Sequence, residues 1–514
     1  MFRKTIISTI FLFNLICISY TQTITEAVRY SSYDYASTAR SIAVGGAFSA
    51  LGADISAATI NPAGLGEYRF GEFVFSFGVN YDNQDATLGS QTTNSSNVTS
   101  NIGVLGYVST NRHRSTSALN YSSFGLSFNR FLNFDNFFEY GASTAGSITE
   151  RFVERANGRG LNDLGDFEAG PAFDSGAIFD FDGDLSYETD FDGFTGVIPK
   201  RQTVSRVGSG SELNIGYGAS LKGKLSFGIN LGVPIFSFTE IKEYSEFDNA
   251  NDIDFFENLE YEEMLETSGV GVNAKIGVIY RLNNKIKLSL AGHTPSAMFL
   301  SDEFFTDLTY TFNDTGDPES TLAQSPNGLF DYQLTTPWRA ILGGAYIFTL
   351  GGDLVQRRSE EDIDFAERRK AQTRGFFTAE VEFVGYTNAN FNLTRDSNDP
   401  LDAAFEQELN DEISAELRSI PIVKFGTEIS KGQFRYRAGV RYQPSIFANG
   451  GSSTTRFSGG IGIRINRVFL DLSGTYDTTS LSYSPYFLTN SLSDQIVNVE
   501  GRQIKMDLTF GYKL

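Results

Sequence analysis

The sequence predicts an all-β protein, a transmembrane antiparallel β-barrel of about 14 strands with an N-terminal hatch plugging its lumen. Three observations lead there. Apolar residues recur at every second position in stretch after stretch, the period of a strand with two unlike faces. The strands so marked run about nine to eleven residues, enough to cross a bilayer on a slant, and short turns alternate with long polar loops between them. The polar faces also carry full charges, such as Arg435, Arg437 and Arg441 opposite Phe434, Tyr436, Val440 and Tyr442. A wet lumen hosts these, whereas the core of a secreted β-sandwich could not bury three guanidinium groups cheaply.

Composition agrees and closes other routes. The 514 residues include 46 Phe, 24 Tyr and 51 Gly but one Trp, a profile suited to half-buried pleated surfaces rather than disorder. Forty-one basic against 62 acidic residues give a net charge of −21, the wrong sign for binding nucleic acid. One Cys and two His put a Cys/His zinc site and a disulfide framework out of reach.

The first element, residues 1–21, reads as an export signal. Arg3 and Lys4 precede an apolar stretch from Thr5 to Ile18, and small residues near Ser19 and Thr21 leave Gln22 as the first mature residue. The apolar run is short for a membrane anchor. Cys17 raises the alternative of a lipoprotein, but Ile16 is bulky for the position before such a cysteine. Cleavage removes Cys17, so the mature chain crosses an oxidising periplasm without a thiol.

Residues 22–69 do not alternate and form the second element. They are dense in small residues, including Ala39, Ser41, Ala43, Gly45, Gly46, Ala47, Ser49 and Ala50, and lead to Asn61-Pro62-Ala63-Gly64. Small residues allow close packing in a confined space, and Pro and Gly enforce turns. A compact plug inside the lumen accounts for this better than a periplasmic leader, which would be more polar.

The third element, residues 70–514, is the barrel. Phe73, Phe75, Phe77, Val79 and Tyr81 share one strand face, as do Ile504, Met506, Leu508, Phe510, Tyr512 and Leu514 at the end of the chain. Short turns are expected at Lys222-Gly223, Asn283-Asn284, Lys431-Gly432 and Asn466-Arg467, with long polar loops near 82–100, 131–207, 234–267, 295–330, 385–417 and 477–500. Both chain ends then lie on the periplasmic side. Within these loops, 160–194 is rich in Gly, Asp and Phe. Asp180, Asp182 and Asp184 have calcium-loop spacing, yet Leu185 and Phe191 stand where an EF-hand needs Gly and Glu. A disordered or weakly ion-binding loop is expected there. The charged run Gln356–Lys370 within the connection 349–373 reads as a solvated helix, and Asp402–Leu417 as a short helix capping an outer loop.

Several of these segments resemble the FadL-like outer-membrane transporters of long-chain fatty acids and aromatic hydrocarbons. The resemblance is carried by Ala39-Arg40-Ser41, Gly45-Gly46-Ala47-Phe48 and Asn61-Pro62-Ala63, which are similar to the family's N-terminal hatch. Gly269–Pro295 resembles its central hairpin, and Leu334–Arg339 with Gly343, Gly344 and Tyr346 resembles the next strand. Asn410–Tyr442, around Phe425-Gly426-Thr427-Glu428, is similar to a late hairpin of Bacteroidetes-type members. The terminal Leu514 replaces the usual aromatic residue, and the acidic insertion and charged connection are extra.

The resemblance implies a monomeric outer-membrane channel that takes up a hydrophobic small molecule passively. Loops capture the ligand, a pocket beside the hatch receives it, and hatch movement opens a gap in the wall for release into the membrane. Its partners are then the ligand, outer-membrane lipid and, during biogenesis, the barrel-assembly machinery. Arg40, Gly45, Gly46, Asn61, Pro62 and Ala63 carry the hatch motif. Phe48 and Leu51 are candidates to touch ligand or to pack against the wall. Arg435, Arg437 and Arg441 are candidates to hold a carboxylate head, or to pair with lumen acids such as Glu380 and Glu382 or with the hatch. No cofactor, metal ligand or catalytic residue is expected, since His113 and His293 lie in no nucleophile motif. The alternative function is a structural or adhesive barrel whose loops bind a partner without transport.

Overall fold

The computed structural model describes residues 23–34, 37–313, 318–350, 372–393, 400–488 and 495–514. The export signal and nearly all of the charged connection 349–373 lie outside the described residues. A short N-terminal series comes first: α1 (Ile24–Ser31), α2 (Ala39–Ala43), α3 (Ala57–Ile60) and a 3-10 turn, Pro62–Glu67. The strands follow as β1 (Glu72–Leu88), β2 (Gln91–Arg112), β3 (Leu119–Asn133), β4 (Asn136–Thr144), β5 (Ile198–Leu221), β6 (Leu225–Phe247) and β7 (Phe255–Arg281). Next come β8 (Ile286–His293), β9 (Ala297–Asn313), β10 (Glu319–Gln324), β11 (Gly328–Thr335), β12 (Arg339–Thr349), β13 (Arg374–Val384) and β14 (Asn390–Asn392). The chain ends with β15 (Ile420–Lys431), β16 (Phe434–Gln443), β17 (Thr454–Ile465), β18 (Val468–Tyr483) and β19 (Val497–Lys513).

Each strand pairs antiparallel with its neighbours, and β19 closes on β1 from Glu72↔Lys513 to Leu88↔Val497. Three wall strands are broken in two, as β3 with β4, β8 with β9 and β13 with β14, and one is broken in three, as β10 with β11 and β12. The closed wall therefore has 14 strands. Period two sets its faces. Phe73, Phe75, Phe77, Leu508 and Phe510 point outward and are exposed, while Ser76, Asn80, Asp507 and Thr509 point inward and are buried. An apolar outside and polar inside is the pattern of an outer-membrane barrel.

The strands are longer than the sequence suggested, because three of the expected loops are mostly strand. Region 82–100 is a hairpin with only Gly89 and Ser90 at its tip. Regions 234–267 and 295–330 are largely the ends of β6 and β7 and parts of β9, β10 and β11. Beyond the apolar belt the outward positions turn polar, as in Thr87 facing Thr92, so alternation fades while pairing continues.

The insertion 145–197 is an ordered cap, not a disordered loop. Its helices α4 (Thr149–Ala156) and α5 (Ala169–Ser175) bring Ile148, Phe152, Ala172, Ile178, Tyr187 and Phe191 onto Tyr244, Phe256, Leu259 and Tyr310 of the extended strands. Its Asp residues serve the turn. The Asp180 carboxylate accepts the backbone N–H groups of Gly183, Asp184 and Leu185. The helix expected near 402–417 is present as α6 (Pro400–Glu416), and its Leu409 and Ile413 join a cluster with Ala27 and Tyr30 of α1.

Candidate functional site

The N-terminal segment lies against the inward faces of strands from opposite sides of the barrel. Local sequence explains its shape. The α1 start is capped by Thr23 N–H donating to Glu26 Oε2 (2.9 Å), and α2 by Ser41 N–H donating to Thr38 Oγ1 (3.2 Å). Asn61 Oδ1 accepts from Ala63 N–H (3.1 Å) with Pro62 opening the 3-10 turn. Asn61 Nδ2 also donates to the Ser49 carbonyl (2.9 Å) and the Val278 carbonyl (3.3 Å), so one side chain joins two parts of the segment to the wall.

Two glycine ledges in the wall let the segment sit flush. Gly218, Gly228 and Gly277 stand in register on β5, β6 and β7 beneath Asn61–Gly66. Gly426 and Gly439 stand opposite each other on β15 and β16 beneath Val44 and Gly45. Gly45 itself has φ +70°, which a side chain rarely adopts.

Charged pairs fasten the segment at intervals. Asp34 binds Arg441 (3.2 Å) and Arg456, and Arg40 lies 3.5 Å from Glu428. Glu67 binds Lys287 (2.6 Å) and Arg281 (2.9 Å). Ser49 N–H donates to Glu380 (2.9 Å), and Arg339 donates to the Ser31 carbonyl (2.8 Å).

The structure places the residues singled out from sequence at several different points. Phe48 and Leu51 pack with Val44 and Ile60 against Ala291, Ile341 and Phe376 of the wall. Arg437 is enclosed, donating to Glu428 and Asp471 at 2.7 Å each. Arg441, Gly45 and Gly46 border a hollow of about 40 Å³ with Asp34 and Arg456. Arg435 sits at the short-turn rim and donates to the carbonyls of Gly432 and Phe434. Glu380 and Glu382 pair with Lys424, and Glu382 also with Arg339. His113 Nε2 lies 2.9 Å from Ser122 Oγ, and His293 Nε2 lies 3.0 Å from the Ile60 carbonyl.

A half-open space of about 770 Å³ lies beside α1. Phe134, Phe238, Tyr261, Phe304 and Tyr483 supply aromatic walls, and Arg29, Arg206, Glu240 and Lys242 supply charge. Arg206 and Lys242 pair with Glu240. The Arg29 guanidinium instead lies 4.0 Å from the centre of the Phe238 ring, and its Nη1 has no hydrogen-bond partner among the described residues. None of these residues was singled out from sequence. They come from α1, the β3–β4 break and the far ends of β5, β6, β7, β9 and β18, and no local motif joins them.

The wall is interrupted next to this cavity. The ladder between β2 and β3 stops at Val104↔Asn129, and β3 ends at Asn133 before β4 resumes at Asn136. A second space, about 360 Å³ and lined by Ser96, Thr99, Asp135, Phe137 and Val207, occupies that break. Arg206 lines both spaces.

Electrostatics single out Glu26. Its helix packs at the level of Phe238 and Leu265, where the outward positions are Ser237, Thr239 and Glu266, beyond the apolar belt. Burial first, and then the nearby Asp302 carboxylate, push the Glu26 carboxyl up to about 8, against the pull of Arg29. The docked helix therefore keeps a proton that a solvated Glu26 loses above its ordinary value of 4.5. Docking of α1 is strongest below that pH and weakens as pH rises toward 8, by at most about 1.4 kcal/mol per pH unit. Protease protection of residues 24–31 should fall across this window in the native protein and stay level in Glu26→Gln. Equal profiles for the two proteins would contradict it.

No family model matches the chain, and no curated protein sequence matches it. Solved structures do. A Pseudomonas aeruginosa FadL homologue superposes with a TM-score of 0.50 at 11% identity, covering 93% of this chain and 98% of its own. The chain has the FadL fold. The Pseudomonas putida toluene transporter TodX superposes with a TM-score of 0.47 at 12% identity, covering 94% and 99% of the two chains. At such identities the FadL fold is what is shared, and the side chains of the cavity are this chain's own.

Proposed function

We propose that this chain is a member of the FadL-like family and a passive channel of the Gram-negative outer membrane for hydrophobic small molecules, long-chain fatty acids or aromatic hydrocarbons. In this reading residues 22–69 are the hatch, residues 70–514 the barrel, and residues 1–21 a cleaved signal. The observation that carries it is the juxtaposition of three features. An aromatic-walled cavity large enough for a small molecule adjoins α1, and it shares Arg206 with the break in the wall. A solute taken in at the outer end would reach the cavity first. Displacement of α1 and opening of the Arg206–Glu240 pair would then lead it to the break, whose membrane-side rim carries the outward Ile102 and Phe128, and so sideways into the bilayer.

The roles of the named residues follow the same logic. Asn61, Pro62 and Ala63 seat the hatch on its glycine ledge, and Arg40, Gly45 and Gly46 seat its other half. Arg437 and Arg441, with carboxylates already on them, act as pins of the closed state, and Phe48 and Leu51 seal the hatch against the wall. Arg29 is the cation left to meet a polar head of the solute. No step makes or breaks a covalent bond, and no cofactor takes part.

The test is uptake of labelled oleate and of toluene by cells carrying this protein, compared with a variant lacking residues 23–69 and with Asn61→Ala. Asn61→Ala removes three hydrogen bonds, one of which ties the segment to the wall, at about 1 kcal/mol or more each. Altered uptake in both variants is expected. Uptake unchanged by either would remove the gated channel and leave the structural or adhesive barrel.

A further inference from the structure

One inward-facing row crosses four neighbouring wall strands. Ser473 on β18, Asp507 on β19, Gly78 on β1 and Asn101 on β2 stand in register. Asp507 is 1% exposed, and neither carboxylate oxygen receives a hydrogen bond from any described residue. The one cation within 4 Å among them, Lys505, holds its Nζ 3.8 Å away, beyond hydrogen-bond reach. The Ser473 hydroxyl directly across from Asp507 is buried and also lacks a partner. A buried carboxylate in this state is costly unless something coordinates it.

The glycines give the row its opening. A Cβ on Gly78 would stand 2.8 Å from Asp507 Oδ1 and 3.1 Å from Asn101 Oδ1. A Cβ on Gly103, the next inward position of β2, would stand 3.9 Å from the same Asp507 oxygen and 3.7 Å from the Ser37 carbonyl. The Ser37 hydroxyl is itself buried without a partner among the described residues. Oxygen atoms from β19, β2 and the N-terminal segment thus surround an opening where Gly78 and Gly103 carry no side chain.

We propose that this row binds one hard monovalent cation, with sodium as the probe, between Asp507, Asn101 and the Ser37 carbonyl. The donors are all oxygens, the set that hard cations take. One carboxylate with an ammonium nearby leaves too little negative charge for a divalent ion, which gathers several carboxylates. So placed, the cation ties the N-terminal segment just before α2 to the β19–β1–β2 wall. This holds whether or not the segment gates a solute.

The experiment uses the full mature chain in detergent micelles. Its melting temperature is followed in sodium chloride and in choline chloride at equal ionic strength. A saturable rise in sodium alone is expected, and Asp507→Asn, which keeps the shape of the side chain, should abolish it. Asn101→Ala should shift the half-saturating sodium concentration upward several-fold. Equal melting in the two salts, an undiminished sodium effect in Asp507→Asn, or a crystal structure grown in sodium with only water between Asp507 and Asn101 would each overturn the proposal.

Discussion

Gly228→Val should raise the resting ion conductance of the barrel in planar bilayers by roughly ten- to a hundredfold. The reason is geometric. A Cβ at Gly228 would stand 2.2 Å from the Pro62 carbonyl oxygen, 2.3 Å from its carbon and 2.6 Å from Ala63 N. All three are backbone atoms, so no flexible side-chain end can swing away. Gly228 is held in register by Gly218 on one side and Gly277 on the other, which leaves the Asn61–Gly66 turn as the part that must lift. Overpacking of this kind costs about 1–3 kcal/mol, and each ~1.4 kcal/mol shifts a two-state population tenfold. Gly292→Ala is the control, since a Cβ there meets nothing within 4 Å. Native conductance in Gly228→Val, with native heat-resistant migration on gels, would mean the ledge does not seat the turn.

Lys424→Met should destabilise the folded barrel by about 3–5 kcal/mol, the cost of stranding buried charges. Lys424 Nζ donates to Glu380 Oε1 and Glu382 Oε2 at 2.8 Å each, and all three side chains are almost fully enclosed. The set also reaches the N-terminal segment at two points. Glu380 accepts from Ser49 N–H, while Glu382 accepts from Arg339, which donates to the Ser31 carbonyl. Met keeps the length of the stem but leaves two carboxylates to share Arg339. Urea unfolding from micelles measures the loss, and adding Glu380→Gln to Lys424→Met should recover much of it. A loss below about 1 kcal/mol would mean that water screens the site as it does surface pairs.

Much of the wall was legible because a strand's period of two is local. Phe73 to Tyr81 and Ile504 to Leu514 declare their lipid face without reference to any other part of the chain. The close packing of the N-terminal segment was legible from the crowding of small residues between Ala39 and Gly66. Its seats were not, because Gly228 and Gly277 lie more than 150 residues from the turn they admit. The outer parts of the strands went unread for a different reason. Outside the apolar belt both faces tolerate polar residues, so Asp82 to Gln84 and Asn94 to Ser96 look like loop although they are paired. The cap hid its core in the same way, since Phe152 and Ile178 acquire meaning only beside Tyr244 and Tyr310. The cavity was the least legible, with Arg29, Arg206 and Phe304 meeting only once the barrel is closed.

In the proposed outer-membrane channel, the length of β7 would set where a solute first meets the protein. Its 27 residues extend roughly 90 Å along the strand, or roughly 65 Å along the membrane normal at a tilt near 40°, against an apolar band about 25 Å tall. Most of the surplus stands on the outer side, because β7 reaches its short turn within a few residues of the last lipid-facing position, Leu282. The mouth of the barrel and its cap are therefore raised tens of ångströms clear of the headgroups. In that placement an apolar molecule in the surrounding water would contact folded protein before any carbohydrate of the membrane surface.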